Sequence, residues 1–319
     1  MRILVSGATG QIGSALVPSL EGDGHEVVPL LRSAGESPGP EAAGKPWWNP
    51  AAGAIARDAL EGFDAVVHLA GENVRSFGRW SRAKKERIRS SRVTGTRLLC
   101  DTLARLERPP RVLAGASAVA FYGSRGDEIL TEESPPGEGF LAEVCRAWEA
   151  ASSPARDAGI RTVLLRLGIV LTPAGGAFRN MLLPFRLGMG GHLGNGRQYL
   201  GWITMEDLGA VIRFALEHEE ISGSLNAVAG AVTNAEFTRA LAAALRRPAV
   251  LAFPAFLLRA TLGEMARELL LSSARVEPRR LLDAGFSFGS PDLASALRRM
   301  LAGTAAEAAR TEPRSDPGP

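Results

Sequence analysis

An apolar run, Arg2 to Ser6, leads directly into Gly7-Ala8-Thr9-Gly10-Gln11-Ile12-Gly13, and an amphipathic stretch follows from about Gln11 to Gly22. Strand, glycine turn and helix in that order narrow the possible folds more than any other feature of the chain. Gly7 permits a tight exit from the strand, Gly10 lets the backbone approach a ligand, and Gly13 lets the helix lie close to the sheet. The start of a helix presents unpaired N–H groups and the positive end of its dipole, so the predicted ligand is a diphosphate. The spacing is G-x-x-G-x-x-G, and the strand before it and the helix after it are the context a dinucleotide site requires.

The end of the second predicted strand, His25 to Leu31, specifies which dinucleotide. An acidic residue there would grip the 2′-hydroxyl of NAD, whereas an arginine accommodates the 2′-phosphate of NADP. The chain has Leu30-Leu31-Arg32-Ser33 and no acid. Arg32 can make a charge-assisted pair with a phosphate and Ser33 can add a hydrogen bond, so NADP(H) is the expected cofactor.

Further strands are predicted at Asp64 to Leu69, Arg111 to Ser117 and Arg161 to Leu167, separated by helical patterns at Trp80 to Glu107 and Phe140 to Ala158. Ser33 to Pro50 is rich in Gly, Pro, Ala and Glu and reads as a surface loop. This alternation implies an α/β class, a Rossmann doubly wound parallel sheet. Residues 1–170 form the expected NADP-binding domain, with sheet elements returning at about 198–230. Residues 171–302 form a smaller cap, including a C-terminal unit at about 248–297, and 303–319 a disordered tail. Within the cap, helices are expected at Met205 to Glu217, Asn234 to Arg246 and Leu257 to Leu271, strands near Ser224 to Val228 and Val250 to Phe253, and a glycine loop at Gly188 to Gly196.

Composition excludes other classes. With 45% hydrophobic residues the chain can build a core, and two cysteines, Cys100 and Cys145, make no disulfide framework. Val250 to Leu262 is interrupted by Pro254 and Arg259 and is shorter than the ~20 residues of a membrane span. The first residues enter a strand at once, leaving no room for a signal peptide, so a cytoplasmic location and no membrane partner are expected. A formal charge of +3 without aromatic interleaving gives no nucleic-acid module. The excess suits a small-molecule substrate, an anionic one included. Four histidines without ligand spacing suggest no metal.

These motifs resemble the extended short-chain dehydrogenase/reductase superfamily. Besides the glycine loop, Asp64-Ala65-Val66-Val67-His68-Leu69-Ala70-Gly71 resembles its D-x-x-x-H-x-A segment. Ala116-Ser117 through Phe121-Tyr122-Gly123 resembles the turn that carries its catalytic Ser or Thr, and Gly201 to Asp207 a later element. Ala70-Gly71-Glu72-Asn73, Arg79-Trp80, Ser91-Arg92, Phe140 to Cys145, Leu183 to Gly188 and Leu269 to Ser273 narrow the likeness to an atypical "epimerase family", or SulA-like, oxidoreductase group with a small C-terminal domain of unassigned role.

The resemblance implies that Leu69, Ala70, Gly71 and Glu72 line the cofactor beside Gly7, Thr9, Gly10, Gln11, Ile12, Gly13, Arg32 and Ser33, with Arg92 as a cationic contact. Arg166, which ends a strand beside the cleft, is expected either as a further cationic contact for an anionic ligand or as the partner of a neighbouring acid. It also exposes a departure. The superfamily's Tyr-x-x-x-Lys pair, an acid/base tyrosine with a lysine that lowers its pKa, falls on Leu141 and Cys145. Tyr122, at a strand exit, and Ser117 are then the candidate catalytic groups, with Glu72 and Glu143 as further acids. The expected function is an NADP(H)-binding oxidoreductase or epimerase-like enzyme lacking that pair. The alternative is a non-catalytic NADP(H)-binding regulatory or redox-sensing protein. Both monomer and homodimer are compatible with the sequence.

Overall fold

A computed structural model describes residues 1–33, 44–75 and 78–311, with side chains described as far as residue 302. In chain order the first half runs β1 (Arg2–Ser6), α1 (Gly13–Gly22), β2 (Glu26–Arg32), β3 (Trp47–Asn49), β4 (Ala54–Ile55), β5 (Ala65–His68), α2 (Arg82–Leu103), β6 (Val112–Ala118) and β7 (Ile129–Leu130). It continues with α3 (Phe140–Ala150), α4 (Ser153–Asp157) and β8 (Arg161–Leu167). The remainder comprises β9 (Ile169–Leu171), α5 (Gly176–Arg186), β10 (Gly191–Leu193), β11 (Tyr199–Thr204), α6 (Met205–Glu217), β12 (Gly223–Ala227), β13 (Gly230–Thr233) and α7 (Asn234–Leu245). It ends with β14 (Leu251–Phe253), α8 (Ala255–Leu262), α9 (Glu264–Leu269), β15 (Arg275–Val276), α10 (Arg279–Asp283) and α11 (Leu293–Thr311).

Eight strands form the main sheet in the order β12-β8-β6-β5-β1-β2-β3-β4, parallel except for the β3–β4 pair. Alternate residues of β1 serve opposite faces, as the two-residue strand period dictates. Ile3 and Val5 pack with Leu16, Leu20, Leu208 and Val211 on one side. Leu4 packs with Leu30, Trp48, Leu60, Leu99 and Leu103 on the other. The chain reverses its winding direction between β1 and β5, and such a switch point is where open α/β sheets bind ligands. A three-stranded sheet, β13-β11-β9, carries the cap, with Phe178, Trp202, Phe237 and Leu297 in its core.

Four expectations are corrected. The end of the expected Ser33–Pro50 loop is β3, held to β2 at Leu31–Trp47 and Arg32–Trp48, because Trp48 fills the core under that edge; residues 34–43 lie outside the described residues. The single helix expected from Phe140 to Ala158 is broken into α3 and α4 at Ala151 and Ser152, where Ser152 Oγ donates to Glu149 O and Pro154 begins the next turn. The helix expected from Leu257 to Leu271 is two helices separated by Gly263, whose φ of +61° no helix accommodates. Helix α11 continues to Thr311, so the first part of the expected tail is helical, while 312–319 lie outside the described residues.

Candidate functional site

The glycine turn sits at the switch point with little space to spare. A Cβ on Gly13 would collide with Gly7 O and Ala8, and one on Gly7 would lie 2.9 Å from Ala70 N. Helix α1 starts without a side-chain cap and without an acid in its first turn. The N–H groups of Gln11, Ile12 and Gly13 have no acceptor among the described residues. Bare amides at a helix start, with room kept by glycine, fit a bound phosphate. The start of α5 closes over the turn, since Gly175 and Gly176 leave space that Gln11 occupies and a Cβ on Gly176 would strike Gln11 Oε1.

The neighbouring loop is held from below. His68, fully buried, meets Ser6 Oγ at 2.6 Å and Thr96 Oγ1 at 2.9 Å, and burial pushes its pKa down to about 4. The ring is therefore neutral and acts as a spacer between β1, β5 and α2. Ser6 Oγ also accepts from Ala70 N at 3.4 Å. Beyond it, Glu72 pairs with Lys84 at 2.7 Å, and that hydrogen bond holds the carboxyl below its ordinary value, with smaller help from the charges of Arg87 and Arg32. Arg32 is exposed at the end of β2 and close enough for its charge to reach Glu72, so it flanks this loop.

Arg92 lies under the same loop. Its Nη1 donates to Glu72 O at 2.9 Å and Ile88 O at 3.2 Å, and its guanidinium carbon stands 5.0 Å from the centre of the Trp148 ring. Those two bonds leave Nε and Nη2 for other acceptors. Burial lowers the Arg92 pKa, and the charge of Glu72 opposes that shift. The superfamily's Lys position, Cys145, is buried, with its thiol pushed up to about 12, chiefly by burial. Leu141, at the Tyr position, is also buried, packed with Trp80, Ile88 and Met265. Neither offers a proton.

The candidate catalytic groups have different surroundings from those expected. Ser117 is buried and its hydroxyl donates to Glu149 Oε1 at 2.7 Å. Tyr122 is completely buried; its hydroxyl donates to Asn226 Oδ1 at 2.7 Å and accepts from Arg166 Nη1 at 2.9 Å. Burial raises the tyrosine pKa, against the pull of Arg166.

Of the two roles open to Arg166, the geometry gives the pairing with an acid. Arg166 is spent in the interior, with Nε and Nη2 on the two Glu149 oxygens at 2.9 Å, Nη1 also on Glu132 O at 3.3 Å, and the guanidinium 3.5 Å above the Phe121 ring. Burial disfavours its charge, but the Glu149 carboxylate more than offsets that and leaves the Arg166 pKa raised. Ser117, Glu149, Arg166, Tyr122, Asn226 and Glu132 thus form one interior network. It is extended to the last part of the chain by Asn226 Nδ2 donating to Glu277 O and Arg280 N donating to Glu132 Oε2.

Sequence reasoning missed Glu132 and Asn226 and gave Glu149 no part in the site. It also missed Glu268 of α9, whose carboxylate accepts from Leu141 N at 3.1 Å and so caps α3. Glu143 is exposed on α3, as a solvated helix-face acid would be.

Comparison with known proteins follows the same outline. Residues 3–228 match the NAD dependent epimerase/dehydratase family. The chain belongs to that family. Residues 253–300 of this epimerase/dehydratase protein match a second family, a domain of unknown function that covers α8 to the first part of α11. An epimerase family protein of Mycobacterium bovis, Mb2239, is 41% identical over 296 residues, 92% of this chain and 96% of that protein. SDR39U1 of Bos taurus is 39% identical over 306 residues, 95% of this chain and 100% of the relative. The crystal structure of human SDR39U1 isoform 2 with NADPH superimposes with a TM-score of 0.83 at 36% identity, covering 94% of this chain and 99% of the other.

Proposed function

We propose that this protein is an NADP(H)-dependent oxidoreductase of the short-chain type, acting on a small-molecule substrate without a tyrosine–lysine acid/base pair. The observation that carries the reading is the uncapped α1 start beside Gly7, Gly10 and Gly13, with Arg32 flanking the adjoining loop. NADPH solved in human SDR39U1 supports the choice of cofactor.

Thr9, Gly10 and the amides of Gln11, Ile12 and Gly13 hold the diphosphate. Arg32 and Ser33 hold the 2′-phosphate, and Leu69, Ala70, Gly71 and Glu72 form the wall beside it. NADPH supplies a hydride. Arg92 takes over the cationic part of the lysine's work, since its charge stands next to Cys145 and its position is fixed by two backbone carbonyls. A guanidinium stays protonated, so Arg92 orients without relaying a proton. Ser117 and Tyr122, engaged in the interior, leave the proton to solvent or to the substrate itself.

That same engagement favours a second reading, a protein that binds NADP(H) as a regulatory or redox-sensing ligand without turnover. Fluorescence titration tests the shared premise: NADPH is expected to bind at least about tenfold more tightly than NADH, the worth of one charge-assisted phosphate contact. Arg32→Ala should erase that preference while leaving NADH affinity unchanged. Equal affinity of the native protein for the two would overturn the proposal. Oxidation of bound NADPH by a carbonyl panel supports the enzyme, and tight binding with no oxidation by any substrate supports the regulator.

A further inference from the structure

Ten large apolar side chains stand out as exposed among the described residues, and seven of them fall in two short segments, Leu183, Leu187 and Met189, and Val250, Leu251, Phe256 and Leu257. Parallel pairing of β10 with β14 brings the segments together: Gly191 faces Leu251, and Leu251 N donates to Gly190 O. The seven are between 42% and 83% exposed, so they project from the surface instead of lining a groove. Exposed large apolar side chains gathered on paired segments mark an interaction site.

The charges around it have one sign. Residues 172–204 and 237–263 hold seven arginines and no Asp or Glu, in a chain with 34 acids. Arg179, Arg186, Arg246, Arg247 and Arg259 are exposed, and none forms an ion pair among the described residues. On α5 the spacing puts Arg179, Leu183, Arg186 and Leu187 on a single stripe. Of the acids that border these segments, Glu236 closes the α7 cap, Glu264 pairs with Lys85, and Glu206 and Asp207 lie in the first turn of α6.

We infer that this face is a peripheral docking surface for an anionic phospholipid bilayer. Helix α8, Ala255-Phe256-Leu257-Leu258-Arg259-Ala260-Thr261-Leu262, decides the occupant, because it rests on the protein through Leu262 and turns Phe256 and Leu257 outward beside Arg259. Outward apolar side chains interleaved with arginines and no acids complement a surface that is anionic outside and apolar beneath, as a bilayer of acidic phospholipid is. A second copy of the chain is a poor fit, since a twofold contact must be self-complementary and would set arginine against arginine. The absence of a spanning segment does not bear on this contact, which lies in the plane of the headgroups.

Flotation of the full chain, loaded with NADPH, on vesicles tests the inference. Binding to vesicles containing 30% phosphatidylglycerol is expected to exceed that to pure phosphatidylcholine at least about tenfold, and to fall in about 0.5 M salt as the arginine contacts are screened. Phe256→Asp with Leu257→Asp should abolish it and Arg186→Glu with Arg259→Glu should weaken it, and retained NADPH binding by each variant shows that it is folded. Equal recovery with both vesicle types, no recovery, or recovery unchanged in the variants would overturn the inference. So would a dimer in solution that the Phe256→Asp variant dissociates. NADPH affinity is read separately, so failure at the membrane leaves the cofactor reading standing.

Discussion

Replacing Tyr122 by Phe separates a proton donor from a structural hydroxyl. The change deletes one oxygen from a completely buried position and leaves Asn226 Oδ1 without the donor 2.7 Å away. It also removes the better of two Arg166 Nη1 acceptors, leaving Glu132 O at 3.3 Å. An unsatisfied buried amide oxygen costs about 1–3 kcal/mol, and a hydrogen bond to a charged donor contributes about 1.5–3 kcal/mol. Arg166 keeps both Glu149 oxygens, so its share belongs at the low end and the sum is about 3 kcal/mol. Against a typical stability of about 5–15 kcal/mol that is a large loss. Urea unfolding should show a lower midpoint with an unchanged slope, while NADPH affinity below the midpoint stays within about twofold of the native protein. A proton donor would give the opposite pattern. If Tyr122→Phe kept full stability and lost NADPH oxidation, the interior-network reading would be refuted and Tyr122 returned to the chemistry.

His68 predicts an acid limit to stability. Its folded pKa of about 4 lies below the ordinary value of 6.5, so the unfolded chain binds the extra proton first. The contribution is fully present above pH 6.5 and is lost as pH falls toward 4, reaching about 3 kcal/mol at 1.36 kcal/mol per pKa unit. Unfolding midpoints measured from pH 7.5 to 4.5 should fall more steeply than in His68→Gln; parallel curves would contradict the assignment. Gly13→Ala pushes a methyl into Gly7 O and Ala8. It should therefore lower both thermal stability and NADPH affinity, and a variant that binds NADPH normally would show that the turn is not the phosphate cradle.

What could be read in the sequence was local. Arg2 to Gly22 contains a strand, a turn and a helix start within reach of one another, and that order survives in the fold as β1, the Gly7–Gly13 turn and α1. The parallel sheet was legible for the same reason, since β5, β6 and β8 each carry an apolar stretch buried on both faces, at 65–67, 112–116 and 163–165. Trp47 and Trp48 stood behind Gly, Pro and Ala residues that read as loop, and only pairing with β2 makes them a strand.

The other half of the site depends on contacts between distant parts of the chain. Arg166 read as a cation at a strand exit facing the cleft, and nothing near it in sequence revealed Glu149 on α3 or Tyr122 on the turn after β6 as its partners. Asn226 enters from β12 and Glu132 from the segment after β7, and the two converge where β6, β8 and β12 lie side by side. This convergence also gives a physical account of the missing Tyr–Lys pair. With Leu141 and Cys145 committed to the core, α3 packs through apolar contacts and turns Glu149 inward onto Arg166. A buried Arg–Glu pair remains in place when each partner has further hydrogen bonds, and Ser117 and Tyr122 supply them. Such a network resists the charge changes that acid/base catalysis requires, because any proton leaving Tyr122 or reaching Glu149 would strand the opposite charge in the interior. The Ser117 and Tyr122 end of the sheet is thus a clamp between the first half of the chain and residues 275–280, and among the described residues the charged groups beside the glycine turn and its adjoining loop are Arg32, Glu72, Lys84 and Arg92.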